Sequence, residues 1–142
     1  MPMIDIYAKK GIFADVRQLA IDAATTVKAV EEVPDTPMFR NNTAAFVHED
    51  VTFTNVNGED NYVRVQVLTS DKALGREKQM KLVEQLTALV VSASGDATLK
   101  DRTWVLLTEA APGGWGLWGH AHTNEELIAA ARAEAAKLSS NA

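Results

Sequence analysis

The alternation of apolar and polar side chains predicts four β-strands, the first of which begins almost at the start of the chain. In residues 3–8 two isoleucines alternate with Met, Asp and Tyr, and in residues 62–68 three valines alternate with Tyr, Arg and Gln. This period of two is typical of a strand with one buried face. Residues 43–47 and 102–108 are short, largely apolar runs for which we also predict strands.

Three longer stretches repeat apolar residues every three or four positions, which is the period of an α-helix. They predict helices over residues 14–30, 76–93 and 124–138. The last helix is opened by Thr123 with Glu126 three positions later, the sequence pattern of a capping box. We expect the apolar stripes of the first two helices to face the sheet: Val16, Leu19, Ala20, Ala23 and Val27 in the first, and Met80, Val83, Leu86, Val90 and Ala93 in the second.

The order of these elements is strand–helix–strand, connecting region, strand–helix–strand, glycine-rich loop and helix. Each half is a βαβ unit, whose two strands should lie parallel. We therefore predict an α+β (α/β) fold in which two tandem βαβ units form one four-stranded sheet covered by two helices, with an additional C-terminal helix. The predicted boundaries are 2–56 for the first unit, 61–119 for the second and 123–139 for the C-terminal helix, all in a single domain, 1–142.

Composition and charge restrict the class of protein. The 142 residues include 46% apolar residues, no cysteine and a formal net charge of −5. The acidic balance argues against a nucleic-acid partner, and the lack of cysteine excludes disulfides and thiolate chemistry. No apolar run approaches the roughly 18 residues that a membrane span needs, and the first residues lack the pattern of a signal peptide. We expect a cytoplasmic protein with neither a nucleic acid nor a membrane as partner.

Two segments carry a family resemblance. The chain begins Met-Pro-Met-Ile, with Pro2 directly before the first predicted strand, and residues 104–119 read Trp-Val-Leu-Leu-Thr-Glu-Ala-Ala-Pro-Gly-Gly-Trp-Gly-Leu-Trp-Gly. An initial Met-Pro alone is common, but its combination with a Thr-Glu…Trp-Gly-Leu-x-Gly loop after the fourth strand is more specific. Together they resemble the tautomerase superfamily, which includes 4-oxalocrotonate tautomerase, malonate semialdehyde decarboxylase, the chloroacrylic acid dehalogenases and macrophage migration inhibitory factor. The resemblance implies fused βαβ units and a homotrimer, and we expect no cofactor.

The resemblance also implies that Pro2 is the catalytic residue, and the chemistry of this position agrees. Methionine aminopeptidases remove Met1 when the second residue is small, so we expect Pro2 to carry a free secondary amine. The pKa of an α-amino group starts at about 8, and burial in an apolar pocket lowers it. Such an amine suits the removal of a proton beside a carbonyl group and its return elsewhere; if it stays charged, it acts as a general acid. We therefore predict a tautomerase that shifts a proton on a small enolisable 2-keto or 2-hydroxy-dienoic carboxylate.

The substrate carboxylate needs a cation, and here the sequence departs from the superfamily. The arginine that single-unit tautomerases carry after the glycine of the first loop falls at Ile12, and their arginine on the following strand falls near Trp104 in the second half. Arg40 and Arg76 are the candidate replacements. Of these, Arg76 is better placed, because fused members of the superfamily carry arginines between the third strand and the second helix.

An aromatic residue and a histidine complete the predicted site. Trp115 aligns with the aromatic side chain that walls the active site in the superfamily, so we expect it to line an apolar cavity near Pro2. His120, beside the same loop, is a candidate substrate contact. His120 and His122 have the two-residue spacing of metal ligands on a strand, but no further ligand lies near them in the sequence, so we predict no metal site.

Other reactions of the superfamily are restricted by the same comparison of positions. The cis-type dehalogenases need a histidine in the first helix and a glutamate in the last loop, which fall at Ala24 and Leu117 here; neither side chain activates water. The decarboxylase uses an aspartate after the first helix, and Asp35 lies in that region. The alternatives to isomerisation are therefore decarboxylation, hydration, or a non-catalytic ligand-binding role in which Pro2 is vestigial.

Overall fold

The computed structural model, which describes residues 1–141, has a four-stranded mixed sheet in the order β2-β1-β3-β4. The strands are β1 (Met3–Tyr7), β2 (Ala44–His48), β3 (Val63–Thr69) and β4 (Thr103–Glu109). β1 pairs parallel to β2 and β3 pairs parallel to β4, while β1 and β3 meet antiparallel at the centre. This arrangement confirms the predicted sheet, in which the two βαβ units lie side by side.

Two long helices, α1 (Val16–Glu31) and α3 (Arg76–Ser94), pack against each other and cover one face of the sheet. The α1 stripe is as predicted in its centre, since Leu19, Ala23 and Val27 are buried. The α3 stripe was predicted on a face that is only partly correct. Leu86 and Val90 are buried, together with Leu82, but Met80 and Val83 are 58% and 37% exposed.

The cause of this error lies in the sequence of α3 itself. Leu82, Leu86 and Val90 are spaced by four residues, and Met80 and Val83 place further apolar side chains on the neighbouring face of the helix. Periodicity alone establishes that one of these stripes faces the sheet, and only the packing against α1 decides which. Side chains of Met80 and Val83 therefore remain at the surface.

Several short elements were not predicted. Helix α2 (Pro37–Asn41) begins with proline at its first position, where the missing N–H has no partner to lose. A 3₁₀ helix spans Ala97–Arg102. The glycine-rich loop contains a hairpin of β5 (Trp115–Leu117) and β6 (His120–His122). Its two-residue turn has positive φ at both positions, Trp118 and Gly119, as a type I′ turn requires.

The C-terminal helix, α4 (Asn124–Ser140), begins at the predicted cap. The Glu126 N–H donates to the Thr123 hydroxyl oxygen at 3.2 Å. α4 packs on the first residues of the chain through Leu127, and its Glu134 carboxylate accepts a hydrogen bond from the Met38 N–H of α2 at 3.1 Å. The helix thus covers the region around Met1. None of the helices described over residues 1–141 is long and apolar enough to span a bilayer.

The opposite face of the sheet has no helix over it among residues 1–141. Four large apolar side chains on this face are exposed, and we call them the open-face residues: Phe46 at 50%, Leu68 at 36%, Trp104 at 39% and Leu106 at 49%. They come from three of the four strands and lie in register with β1 residues of the same face. An apolar area of this kind on a small protein marks a contact surface.

Candidate active site

The first two residues are buried at the end of the sheet where the inner strand β1 begins. Pro2 is buried, and its carbonyl oxygen accepts a hydrogen bond of 3.3 Å from the Ala44 N–H, which fixes it beside β2. The Met1 side chain belongs to an apolar cluster separate from the main core, together with Met38, Phe39, Trp115 and Leu127. The start of the chain is therefore enclosed by apolar groups.

A cavity of about 360 Å³ lies beside Met1. Its walls come from four parts of the chain: the end of α1, helix α2, the segment after β3, and α4. The lining includes Glu31, Phe39, Ser70, Ala73, Leu127 and Arg132. This volume is at the small end of the range for ligand sites, and most of the lining is apolar. The cavity therefore suits a small molecule with few polar groups.

Glu31 places a carboxylate in these apolar surroundings. Its side chain is 3% exposed, and its Oε2 atom lies 3.5 Å from the α-amino nitrogen of Met1. Its other oxygen, Oε1, is buried and has no hydrogen-bond partner. A buried carboxylate oxygen without a partner is costly, and such groups are concentrated at functional sites.

Burial shifts the two facing groups in opposite directions. Desolvation raises the pKa of Glu31, and the nearby α-amino group and Lys78 oppose this shift. Desolvation likewise lowers the pKa of the Met1 α-amino group, against the attraction of Glu31. Burial therefore raises the pKa of the Glu31 carboxyl and lowers that of the Met1 amine, because it disfavours the charged form of each. The Lys78 ammonium donates to the Glu31 carbonyl oxygen at 2.9 Å and fixes the end of α1 beside α3.

Arg132 on α4 is a cation that the sequence analysis did not identify. It lines the cavity, and none of the salt bridges within residues 1–141 involves it. The cavity-lining positions of α4 are spaced by three and four residues: Leu127, Ile128, Ala131, Arg132 and Ala135. Helical periodicity along α4 was the signal that could have indicated Arg132, because it is the one arginine on that face.

Of the sequence-predicted site residues, Trp115 packs in the apolar cluster that contains Met1, the neighbour of Pro2, but it does not line the cavity. Trp115 is 8% exposed within that cluster. The β5–β6 hairpin holds it there, and the buried His122 supports the hairpin. Its Nδ1 lies 3.0 Å from the His120 carbonyl oxygen and 3.4 Å from that of Trp115. Since both neighbours are acceptors, Nδ1 carries the proton in this arrangement.

His120 lies on the same side of the hairpin as His122 but does not line the cavity. Its imidazole is 60% exposed and is hydrogen-bonded through Nε2 to the Glu126 carboxylate. This bond is the main reason that the pKa of Glu126 is lowered. The rings of His120 and His122 meet edge to face, 4.7 Å apart. Over residues 1–141, no group of three or more His, Asp or Glu side chains is arranged to hold a metal ion.

Arg40 is engaged at the surface. Its Nη1 donates to Asp35 Oδ1 at 2.9 Å, and Lys28 Nζ lies 2.7 Å from the same oxygen. These two cations, Lys28 first and Arg40 second, lower the pKa of Asp35. Asp35 is the residue in the region of the decarboxylase aspartate. Here its carboxylate forms a surface cluster with the two cations, and neither Asp35 nor Arg40 lines the cavity.

Replacement of Arg40 by alanine should raise the pKa of Asp35 towards its ordinary value while leaving it below that value, because Lys28 keeps its own contact. The change can be followed by NMR titration of the Asp35 carboxyl carbon. Lys28→Ala should give the larger rise, since its hydrogen bond is the larger cause of the shift. The same Asp35 pKa in the wild type and in both variants would contradict the contacts of Asp35 with Lys28 and Arg40.

Arg76 lies in a different place. It is exposed at the first position of α3 and borders a broad groove of about 1120 Å³ between α3 and β4. Met80, Val83 and Leu107 also line that groove, which shares no lining residue with the cavity beside Met1. Within one chain, Arg76 and Pro2 therefore do not belong to the same site.

Comparison with known proteins gives a result at the level of the fold. The sequence matches no protein-family profile and no curated protein. Solved structures do match. N1, a member of the cis-3-chloroacrylic acid dehalogenase family, has a TM-score of 0.66 at 15% identity, over 89% of this chain and 90% of that chain.

Two further structures agree with it. A fused 4-OT in the form of a symmetric trimer has a TM-score of 0.68 at 16% identity, over 88% of this chain and 98% of that one. Macrophage migration inhibitory factor from Oncomelania hupensis has a TM-score of 0.70 at 12% identity, over 96% of both chains. The chain therefore has the fold of the tautomerase superfamily, as the resemblance in its sequence implied.

Proposed function

We propose that the protein is a tautomerase in which Pro2, freed by removal of Met1, shifts a proton on a small enolisable carboxylate. The observation that carries this proposal is the burial of Met1 and Pro2 beside a small, mostly apolar cavity whose lining includes the buried Glu31 carboxylate and the exposed Arg132. The fold comparisons support the proposal, since proteins of the tautomerase, dehalogenase and macrophage migration inhibitory factor groups have the same fold.

Removal of Met1 is a necessary part of the proposal. While Met1 is attached, the Pro2 nitrogen belongs to an amide and cannot accept a proton. Its loss turns this nitrogen into a secondary amine and also vacates the space that the Met1 side chain fills against Phe39 and Trp115. The Met1 side chain thus occupies the place in which we expect the reacting part of a substrate to bind.

The walls of this space suit acid–base chemistry at neutral pH. Burial lowers the pKa of the Met1 amine, and we expect the same apolar groups to exclude water and lower the pKa of the Pro2 amine once Met1 is removed. A base with such a pKa removes a proton beside a carbonyl group and returns it at another atom. Arg132 is our candidate for binding the substrate carboxylate, because it is the arginine that lines the cavity.

The direct test is turnover of phenylpyruvate enol and of 2-hydroxymuconate, followed by the change in ultraviolet absorbance. We expect ketonisation of at least one of them well above the uncatalysed rate, and its inhibition by a small non-reactive carboxylate. A protein with verified Pro2 as its first residue and no turnover of either substrate would favour the non-catalytic alternative. A Pro2→Ala variant that keeps the same ligand affinity would support that alternative further.

We also propose a homotrimer, because the open-face residues need a partner and a fused 4-OT of the same fold is a trimer. Leu106→Glu should convert the assembly to monomers, since it places a charge within the contact. Light scattering measures the mass directly. Ile21→Glu, on the outer side of α1 at 42% exposure, is the matched control and should keep the mass of the wild type. A wild-type monomer would refute this part of the proposal.

The proposed trimer affects whether the remaining predicted cations can reach the substrate. Arg76 borders a groove separate from the cavity of its own chain, so it can reach a bound substrate only from a neighbouring subunit. We keep it as a candidate for that role. Arg40 is a weaker candidate, because its guanidinium already binds Asp35, and His120 is held by Glu126 outside the cavity.

A further inference from the structure

Glu31 is the group at the cavity that the proposed function does not yet use. It is the last residue of α1, its side chain is 3% exposed, and its buried Oε1 has no partner. A glutamate at the end of a helix normally extends into water, where its charge is hydrated. No strong interaction within the fold replaces that hydration here, because the ion pair with the Met1 amine is long at 3.5 Å.

We propose that Glu31 is a second catalytic residue, which shares one proton with the Pro2 amine and exchanges protons with the substrate. The inference rests on the proposed function, since it assigns a partner to the same amine. The Pro2 nitrogen is one residue from the Met1 nitrogen, so Glu31 Oε2 lies within about 7 Å of it. Removal of Met1 clears the space between the two groups.

The pair provides both proton transfers of a ketonisation. The Glu31 carboxylate takes the proton of the enol hydroxyl, and the O–H electron pair becomes part of the new C=O bond. The C=C π pair forms a bond to the proton delivered by the Pro2 ammonium. The products are the keto acid, a neutral amine and a protonated Glu31. Relay of that proton from Glu31 to Pro2 through a water that enters as the product leaves restores the starting state, so the cycle takes no net proton from the solvent.

Charged groups from each neighbouring element affect this pair. Lys78 of α3 lies near the Glu31 main chain and favours the ionised carboxylate. Glu32 follows it in the chain and is bound to Lys78 at 3.9 Å. Arg132 of α4 lines the same cavity. The charge of Lys78 offsets that of Glu32, which leaves the amine and the substrate carboxylate as the partners to which Glu31 responds most.

The test is Glu31→Gln, which keeps the shape of the side chain and removes its ability to take a proton. We expect kcat to fall by about 100-fold or more, with a change in KM of less than about 3-fold. The pH profile should change in form. In the wild type, activity requires an ionised Glu31 and a protonated Pro2 amine, so the plot of rate against pH is bell-shaped. In the variant, the acid limb set by Glu31 is lost, so the residual activity is constant at low pH and falls as the Pro2 ammonium loses its proton.

A second measurement is independent of turnover. NMR titration of the Pro2 nitrogen should give a lower pKa in Glu31→Gln than in the wild type, because the variant lacks the negative charge that favours the ammonium. Glu84→Gln, an exposed position on α3, makes the same chemical change elsewhere and should leave kcat, the bell and the amine pKa unaltered. Thermal unfolding should show that Glu31→Gln is at least as stable as the wild type, because it removes a buried charge.

The outcomes separate the two proposals. An unchanged amine pKa in Glu31→Gln overturns the role of Glu31, whether or not the protein turns over either substrate. A lowered amine pKa, with a wild type that is inactive on both substrates, supports the pair and refutes the tautomerase assignment. Wild-type kcat and a retained bell in Glu31→Gln would show that Pro2 works alone.

Discussion

A short extension ahead of Pro2 is expected to reduce the turnover of an enolisable substrate by about 1,000-fold, within the range that acid–base groups contribute. Two effects act together. In the extended chain the Pro2 nitrogen is an amide and has no basic lone pair. The added residue also fills the space of the Met1 side chain, which is 5% exposed against the cluster that contains Phe39 and Trp115. The substrate therefore loses both the base and its binding space.

The experiment compares three forms of the same protein. One begins at Pro2, one carries Gly-Ser ahead of Pro2, and one begins at Pro2 and carries the same two residues after the last residue of the chain. Intact mass establishes each first residue. The C-terminal form should equal the first, because the cavity-lining part of α4 ends at Ala135. Equal kcat/KM in the N-terminally extended form would refute the role of Pro2.

The sheet was predictable because its signal is local. Each strand carries its own alternation, and the structure places all four within about two residues of the expected positions, with both parallel pairs as predicted. The face of α3 was not predictable in the same way. Its sequence offers two apolar stripes, and the one containing Leu82, Leu86 and Val90 is chosen by packing against α1 and the sheet.

Within the candidate site, only residues that belong to a recognisable sequence motif could be predicted. Pro2 and Trp115 were predicted from short sequence patterns, and Trp115 belongs to the apolar cluster that contains Met1, the neighbour of Pro2. Glu31 is buried because the first residue of the chain folds back onto the end of α1, a contact between positions thirty residues apart. No local pattern reports a contact of that kind. Glu31 was therefore not among the site residues predicted from the sequence.

The C-terminal helix offers a candidate replacement for the superfamily arginines under the proposed function. The two βαβ units alone would leave the Met1 cluster open on the side that Leu127 now covers. α4 is attached there through its Glu134 carboxylate, which accepts from the Met38 N–H. The same helix brings Arg132 to the cavity. Under the proposed function, Arg132 on this helix is our candidate for the charge that relatives would supply from the positions occupied here by Ile12 and Trp104.

Arg132→Met should therefore raise KM for a carboxylate substrate by about 10- to 100-fold, the effect of removing one hydrogen bond to a charged group. Methionine keeps the unbranched, apolar stem of the side chain, so the packing of α4 is preserved. Arg132→Lys keeps the charge but loses the two-pronged hydrogen bonding of the guanidinium, and should lie between the wild type and Arg132→Met. Steady-state kinetics with phenylpyruvate enol provide the measurement.

The methyl ester of the same substrate separates charge recognition from a change in cavity shape. Because the ester carries no negative charge, its KM should be the same in the wild type and in Arg132→Met. Lys137→Met is the matched control, since Lys137 is an exposed cation in the last turn of α4 and does not line the cavity. It should leave KM for both substrates unaltered. An equal rise in KM for the acid and the ester in Arg132→Met would show that Arg132 supports the wall of the cavity and does not bind the carboxylate. The cation that binds the carboxylate would then have to come from Arg76 of a neighbouring subunit.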